Sequence, residues 1–108
     1  MTQTSLGRVS VSTPGTPVPL STDPTQRVAK LFLQVIPGLT GKAYIGKPGM
    51  NKVTLNGVSR ILWPNSSGGI SDQFFLETQD GEDSIQLSDY AIDVDVAGEG
   101  LLVSYWID

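Results

Sequence analysis

The sequence predicts an all-β protein, a single-domain β-sandwich of about eight short strands. A jelly roll is one arrangement of such strands in two sheets. Three observations predict this fold class. Apolar residues recur with a period of two along several segments, and no segment carries a capped helical stripe. Glycine and proline, 12 and 7 of the 108 residues, interrupt the chain at short intervals. A chain of this length suits one domain with a buried core and is too short for two.

The N-terminal quarter of the chain differs from the rest. Val9 and Val11 alternate with serines, which predicts a strand at about 7–12. Residues 13–24 contain four prolines, and proline is excluded from helix interiors and central strands. The proline-rich segment is therefore expected to lie on a surface as an extended arm or an edge segment. We divide the chain into an extended N-terminal strand and arm, residues 1–27, and a β-sandwich domain, residues 28–108.

The sandwich domain is predicted from alternating segments. Residues 28–36 are apolar on both faces, as in a strand covered on both sides. Asn56-Gly57 between two short apolar runs, 53–55 and 58–63, predicts a two-residue hairpin. The terminal strand is also apolar on both faces, so we expect it in the centre of a sheet or under a partner. Further strands are predicted at 42–46, 70–77, 84–87, 90–96 and 99–107.

Composition removes most reactive chemistry. The chain has no cysteine and no histidine, so thiolate nucleophiles, imidazole acid–base catalysis and Cys/His zinc sites are absent. Residues 41–48 match a phosphate-binding loop until Pro48, where a hydroxyl is required. Asp93 and Asp95 share a strand face, which suits Ca²⁺ ligands but is more typical of solvated side chains. We expect no enzyme, cofactor or metal site.

Charge is distributed unevenly along the chain. All seven cations lie in residues 1–60, against one acid, giving +6, while residues 61–108 contain ten acids and no cation, giving −10. In a β-sandwich the two halves interleave, so the charges either balance on solvated faces or form patches that bind copies of the chain or a lattice. A net charge of −4 without a basic and aromatic cluster argues against nucleic acid. With no apolar run of about 20 residues and no signal-peptide pattern, we expect no membrane association.

Two pairs of adjacent residues suggest a binding surface. Phe74 and Phe75, and likewise Tyr105 and Trp106, point to opposite faces of their strands. One member of each pair is expected in the core and the other, Phe75 or Trp106, at an interface. The outward aromatic residue suits a protein contact, with carbohydrate stacking as the alternative.

Several stretches carry a resemblance. Residues 41–52, 58–62 and 87–105, together with the Val-Ser-Thr-Pro-Gly-Thr-Pro-Val-Pro-Leu stretch at 11–20, resemble small all-β virion structural proteins of tailed bacteriophages. The resemblance implies a capsid decoration (cement) protein, made in the host cytoplasm and placed on the capsid surface of the virion. It also implies two partners, the major capsid protein and further copies of the chain in a homo-oligomer, a trimer or a dimer. Alternatives are a head–tail joining or tail protein, and a carbohydrate-binding β-sandwich for host attachment.

The partner-binding hypothesis names the N-terminal arm, several cations and the outward aromatic residues. A proline-rich segment loses little entropy on binding, and cations would meet an acidic capsid surface. The residues expected to contact a partner are Arg8, Val9, Val11, Pro14, Pro17, Pro19, Arg27, Lys42, Lys47, Lys52, Phe75 and Trp106.

Overall fold

The computed structural model describes residues 2–36, 40–64, 72–78 and 82–107. These residues form ten β-strands and one short 3-10 turn, Leu87–Asp89, so the prediction of an all-β protein is confirmed. The strands are β1 (Thr2–Ser10), β2 (Val18–Pro19), β3 (Arg27–Val28), β4 (Lys30–Val35), β5 (Ala43–Gly46), β6 (Val58–Leu62), β7 (Gln73–Glu77), β8 (Ile85–Gln86), β9 (Ala91–Val94) and β10 (Gly100–Ile107).

Eight of these strands form two four-stranded antiparallel sheets. The front sheet has the order β1-β10-β4-β7 and the back sheet the order β2-β9-β5-β6, while β3 and β8 form a separate short ladder. The first strand pairs with the last, the second with the second-last, and so on inward through the β3–β8 ladder to β5 and β6. This nested pairing across two sheets is a jelly roll.

The core lies between the two sheets. In β4, Leu31, Leu33 and Val35 are buried and alternate with partly exposed residues, because successive side chains point to opposite faces. The back sheet contributes Ile45 and Ile92, among others, to the same cluster. β10 lies between β1 and β4, which confirms the central position expected for the terminal strand.

The expected extended arm is not seen as a separate segment; the N-terminal residues instead supply β1 and β2, which are edge strands of the two sheets. β1 pairs with β10 from Thr2 to Ser10, and β2 pairs with β9 in the other sheet. Between them, the Val11 N–H donates to the Glu99 carbonyl at 3.0 Å, and the Val11 side chain is fully buried. The proline-rich segment therefore crosses from the front sheet to the back sheet as part of the sandwich.

The hairpin predicted at Asn56-Gly57 is wrong. Residues 53–55 form no strand, and β6 pairs instead with β5, so the connection between them is the loop 47–57. A turn is present, in which the Val58 N–H donates to the Leu55 carbonyl at 3.2 Å. β6 pairs with β5 because Ala43 and Ile45 of β5 are core residues, whereas Val53 is 85% exposed.

Several other predicted segments differ at their ends, among them the first strand, predicted at about 7–12 and found at Thr2–Ser10. β7 begins at Gln73, and residues 65–71, where its predicted start falls, lie outside the described residues. The strand predicted at 90–96 is shorter, Ala91–Val94, because the chain turns after Val94.

Candidate functional site

The outer face of the front sheet carries an aromatic cluster. Since Leu31, Leu33 and their neighbours point inward, Phe32 points outward from β4, as do Phe75 from β7 and Trp106 from β10. The Phe32 and Phe75 ring centroids are 6.1 Å apart at 66°, and the Phe75 and Trp106 centroids are 6.4 Å apart at 46°. Edge-to-face and tilted packing of this kind stabilises aromatic pairs.

This surface, which we call the aromatic face, consists of Phe32, Phe75, Leu102 and Trp106. The described strands leave it open, since Phe75 and Leu102 keep 49% and 40% of their surface exposed. Phe74, by contrast, packs against the core. The structure thus brings Phe75 and Trp106 together on the outer face, since their neighbours Phe74 and Tyr105 point inward. Phe32 and Leu102 were missed, although the alternation of their strands would have placed them beside the other two.

The outer face of the back sheet carries a polar cluster. The Tyr44 hydroxyl donates to the Asp95 carboxylate, at 3.0 Å to Oδ1 and 3.2 Å to Oδ2. Lys52 donates from Nζ to the Val94 carbonyl at 2.8 Å and forms an ion pair with Asp95 at 3.2 Å. Burial of Tyr44 raises the pKa of its phenol to about 12, and the hydrogen bond to Asp95 and the charges of Asp95 and Asp93 add to the effect.

Asp93 is buried, contrary to the expectation of a solvated side chain. Its Oδ1 accepts hydrogen bonds from the Gly15 N–H at 3.0 Å and the Val94 N–H at 2.8 Å, and its exposure is 0%. Oδ2 has no hydrogen-bond partner among the described residues. The Gly15 contact holds the proline-rich segment against the back sheet, which indicates a structural anchor.

Candidate metal ligands are dispersed in the described part of the chain, which contains no group of three or more carboxylates close enough to hold a metal ion. Asp93 and Asp95 take separate roles, since Asp93 binds backbone N–H groups and Asp95 binds Tyr44 and Lys52.

The β5–β6 loop, residues 47–57, holds two apolar residues in solvent. Val53 is 85% and Leu55 49% exposed. Asn51 shapes the loop, because its Oδ1 accepts from the Val53 N–H at 2.8 Å and the Thr54 N–H at 3.1 Å. Leu55 has φ +65°, the one positive φ at a described residue other than glycine. A β-carbon is disfavoured in that left-handed region, so the loop conformation costs free energy.

The predicted cations take different positions. Lys42 lies over the Trp63 ring, 4.8 Å from its centroid, and Lys52 is held by Asp95. Arg8 donates from Nη2 to the Gly98 carbonyl at 2.9 Å, which ties β1 to the turn before β10. Arg27 and Lys47 are exposed. These cations therefore differ in their partners and in their exposure.

Most of the N-terminal residues predicted to contact a partner are buried or half-buried in the sandwich. Val11 is fully buried in the core and is not accessible to a partner. Val9, Pro14 and Pro17 are half-buried, and Pro19 is exposed while pairing with Ala91 in the back sheet.

Comparisons with protein families, curated proteins and solved structures return no match. No pocket is found on the chain in the part that the structure describes. Within the same residues, no helix has the length and apolar character needed to cross a membrane. The candidate functional surfaces are therefore the aromatic face and the exposed tip of the β5–β6 loop.

Proposed function

We propose that the chain is a virion structural protein of a tailed bacteriophage, a capsid decoration protein that binds the major capsid protein lattice as an oligomer. The sequence resemblance supports this role, and jelly rolls occur among capsid proteins as well as lectins. Because a fold hosts many functions, the proposal depends on a surface. The observation that carries it is the β5–β6 loop, which presents Val53 and Leu55 to a partner.

Within this loop, Leu55 gives the strongest indication of a partner contact. Its positive φ costs the free chain about 1 kcal/mol or more, and its exposed side chain returns little of that cost. Strained residues of this kind are often found where a partner or ligand uses them. Because Leu55 is 49% exposed in the free chain, its burial by a partner contributes roughly half of the 1.5–3 kcal/mol of a fully exposed leucine, about 0.8–1.5 kcal/mol, which is comparable to the strain.

Charge indicates what this partner surface is like. Residues 42–60 contain four cations and no acid, although the whole chain has a net charge of −4. Lys47 and Arg60, near the two ends of the loop, are exposed, and neither forms an ion pair within the described residues. An apolar tip beside free cations fits an apolar depression with an acidic rim, and the charges would speed association at low salt. In this proposal the loop, rather than an N-terminal arm, contacts the capsid.

Purified particles test the role itself. Quantitative mass spectrometry of virions from a phage that encodes this chain should find many copies for each particle. Particles that lack the chain should release DNA at a lower temperature, because a protein that binds only the assembled lattice stabilises it by mass action. A few copies for each particle would indicate the head–tail joining or tail alternative, and absence from particles would contradict the proposal.

Substitution in the loop tests the contact. Leu55→Gly removes the exposed side chain and relieves the strained φ. It should leave the isolated chain as stable or up to about 1 kcal/mol more stable in thermal melts. The same variant should bind heads lacking the protein roughly tenfold more weakly. Leu6→Ser, which alters a leucine that is 41% exposed on β1, is the matched control and should bind normally.

The alternative of a carbohydrate-binding protein has one specific observation in its favour, the exposed Trp63. Its side chain is 58% exposed with Lys42 against the ring, and an open indole ring suits sugar stacking. The rings of the aromatic face suit it less, because their mutual tilts of 46° and 66° prevent a flat platform. Saturable glycan binding that Trp63→Ala abolishes would favour this alternative.

A further inference from the structure

We infer that the aromatic face is a self-association surface, where two copies of the chain pack their front sheets together about a two-fold axis parallel to β4 and β7. The inference concerns one face of the isolated protein and does not depend on the virion role. It is carried by the difference between the two outer faces and by the order of residues along β4 and β7.

The two sheets differ in what covers them. On the back sheet, Tyr44 is 4% and Asp93 0% exposed. The β5–β6 loop lies over this sheet, since Lys52 bonds to the Val94 carbonyl and a side chain at Gly46 would collide with Met50. The front sheet has no comparable cover in the described residues, and Phe75 remains 49% exposed. An open aromatic sheet face of this kind is typical of an interface.

The outward residues of β4 and β7 form cross-strand pairs of matching chemistry. Three pairs lie opposite each other in the register, Lys30 with Glu77, Phe32 with Phe75 and Gln34 with Gln73. A two-fold axis that runs between the two strands places β4 of one copy over β7 of the other. Each residue then meets the same kind of partner across the interface: cation with anion, ring with ring, amide with amide. An isologous interface requires this reciprocity, and sheets pack face to face about 10 Å apart in aligned sandwiches.

A second copy fits this face better than an acidic surface does. Besides Lys30, the outward positions include Glu77, which an acidic partner would leave facing like charge. Much of the rest is neutral and polar, and stacking two such faces buries few unpaired charges. The neutral positions in the overlap are Gln34 and Gln73, and Arg8, which lies opposite Leu102 on the same outer face, is on β1 outside the overlap.

The size of the face sets the expected strength. With the axis between β4 and β7, only these two strands of each copy overlap, while β10 and β1 extend to either side. Two strands about 4.8 Å apart and about six residues long, at about 3.3 Å for each residue, cover roughly 200 Å². Stable interfaces bury about 800 Å² on each partner. The dimer should therefore be weak, with dissociation in the millimolar range, and form progressively as concentration rises.

Analytical ultracentrifugation of the full chain tests the inference. The weight-average mass should rise from monomer toward dimer across this range. Phe75→Ser should weaken association roughly tenfold or more, because it removes the central ring. Val53→Ser removes an apolar side chain that is 85% exposed elsewhere and should associate like the wild type. A wild-type chain that stays monomeric at millimolar concentration, or equal effects of the two variants, would overturn the inference.

A charge exchange tests the geometry. Lys30→Glu and Glu77→Lys each place like charges opposite one another in both symmetry-related rows, so each should weaken association. The double variant restores opposite charges and should recover it. Since the exchange also affects neighbours within one chain, melting of dilute monomer by circular dichroism separates the two effects. Failure of the double variant to recover association, with its monomer melting unchanged, would reject this arrangement. None of these results bears on binding to phage heads, which the Leu55 variant tests separately.

Discussion

Tyr44 is a residue whose protonation is linked to folding. Its side chain is nearly buried on the back sheet and donates to Asp95. Burial first, and then Asp95 and Asp93, raise the pKa of the phenol from 10.0 to about 12. The folded chain therefore keeps this proton at pH values where the unfolded chain has lost it. Stability from this source is complete below pH 10 and declines as pH rises toward 12.

Tyr44→Phe tests this linkage. The variant keeps the ring but removes the ionisable hydroxyl, so its unfolding free energy should fall less steeply between pH 10 and pH 12 than that of the wild type. Near neutral pH it should lose about 1 kcal/mol with the hydrogen bond to Asp95. Urea unfolding across this pH range is the measurement, and absorbance of the phenolate reports ionisation directly. Parallel alkaline slopes for the two proteins would show that Tyr44 ionises normally.

The alternating pattern around Asp93 and Asp95 predicts their strand face but not their burial. Alternation correctly assigns them to one strand face, away from Ile92 and Val94. Their different burial depends on the Gly15 turn, which covers Asp93 and leaves Asp95 exposed. That turn lies 78 positions away in sequence, so local periodicity carries no information about it.

At the scale of elements, β1 is the strand whose partner the sequence leaves undetermined. Its alternating Val9 and Val11 predict a strand, and the prolines that follow predict an extended arm or an edge segment. β1 pairs with β10 and forms one edge of the front sheet. At the Ser10–Gly100 pair the strands approach closely, and a β-carbon at Gly100 would overlap the Val9 carbonyl. This packing indicates a structural strand.

Deletion of residues 1–10 distinguishes these interpretations. Loss of an arm would leave the thermal midpoint of the isolated chain unchanged. Loss of β1 removes the ladder with β10 and exposes an edge with unpaired N–H and C=O groups. We expect a midpoint lower by at least about 5 °C and a greater tendency to aggregate, measured by circular dichroism and light scattering. Ser5→Ala, a change on β1 that keeps its backbone pairing, is the control and should melt like the wild type.

At the scale of the whole molecule, the jelly roll brings the two ends of the sequence together. Positive and negative halves interleave as expected, because the first strand pairs with the last. The described residues nevertheless contain a single ion pair, Lys52 with Asp95. Since exposed ion pairs contribute about 0–1 kcal/mol, apolar packing between the sheets dominates stability.

Substitutions in β4 test this conclusion. Leu33 is fully buried between the sheets, so Leu33→Ala should lower the unfolding free energy by about 2–5 kcal/mol. Gln34→Ala, at the adjacent outward position, should change it by less than about 0.5 kcal/mol. Lys52→Ala should cost about 1 kcal/mol or less. Chemical denaturation of the three variants gives the comparison, and a loss at Lys52 as large as that at Leu33 would contradict it.

The sequence by itself determined that this chain is an all-β sandwich, and it separated inward from outward residues at Phe74 and Phe75, because strand periodicity is local and follows from backbone geometry. Only the tertiary structure decided that residues 2–19 contribute strands to both sheets, that β6 pairs with β5, and that Asp93 is buried. It also placed Phe32, Phe75 and Trp106, which are distant in sequence, on one face. Strand partners and covering loops depend on contacts between remote segments, which a pattern within one segment does not encode.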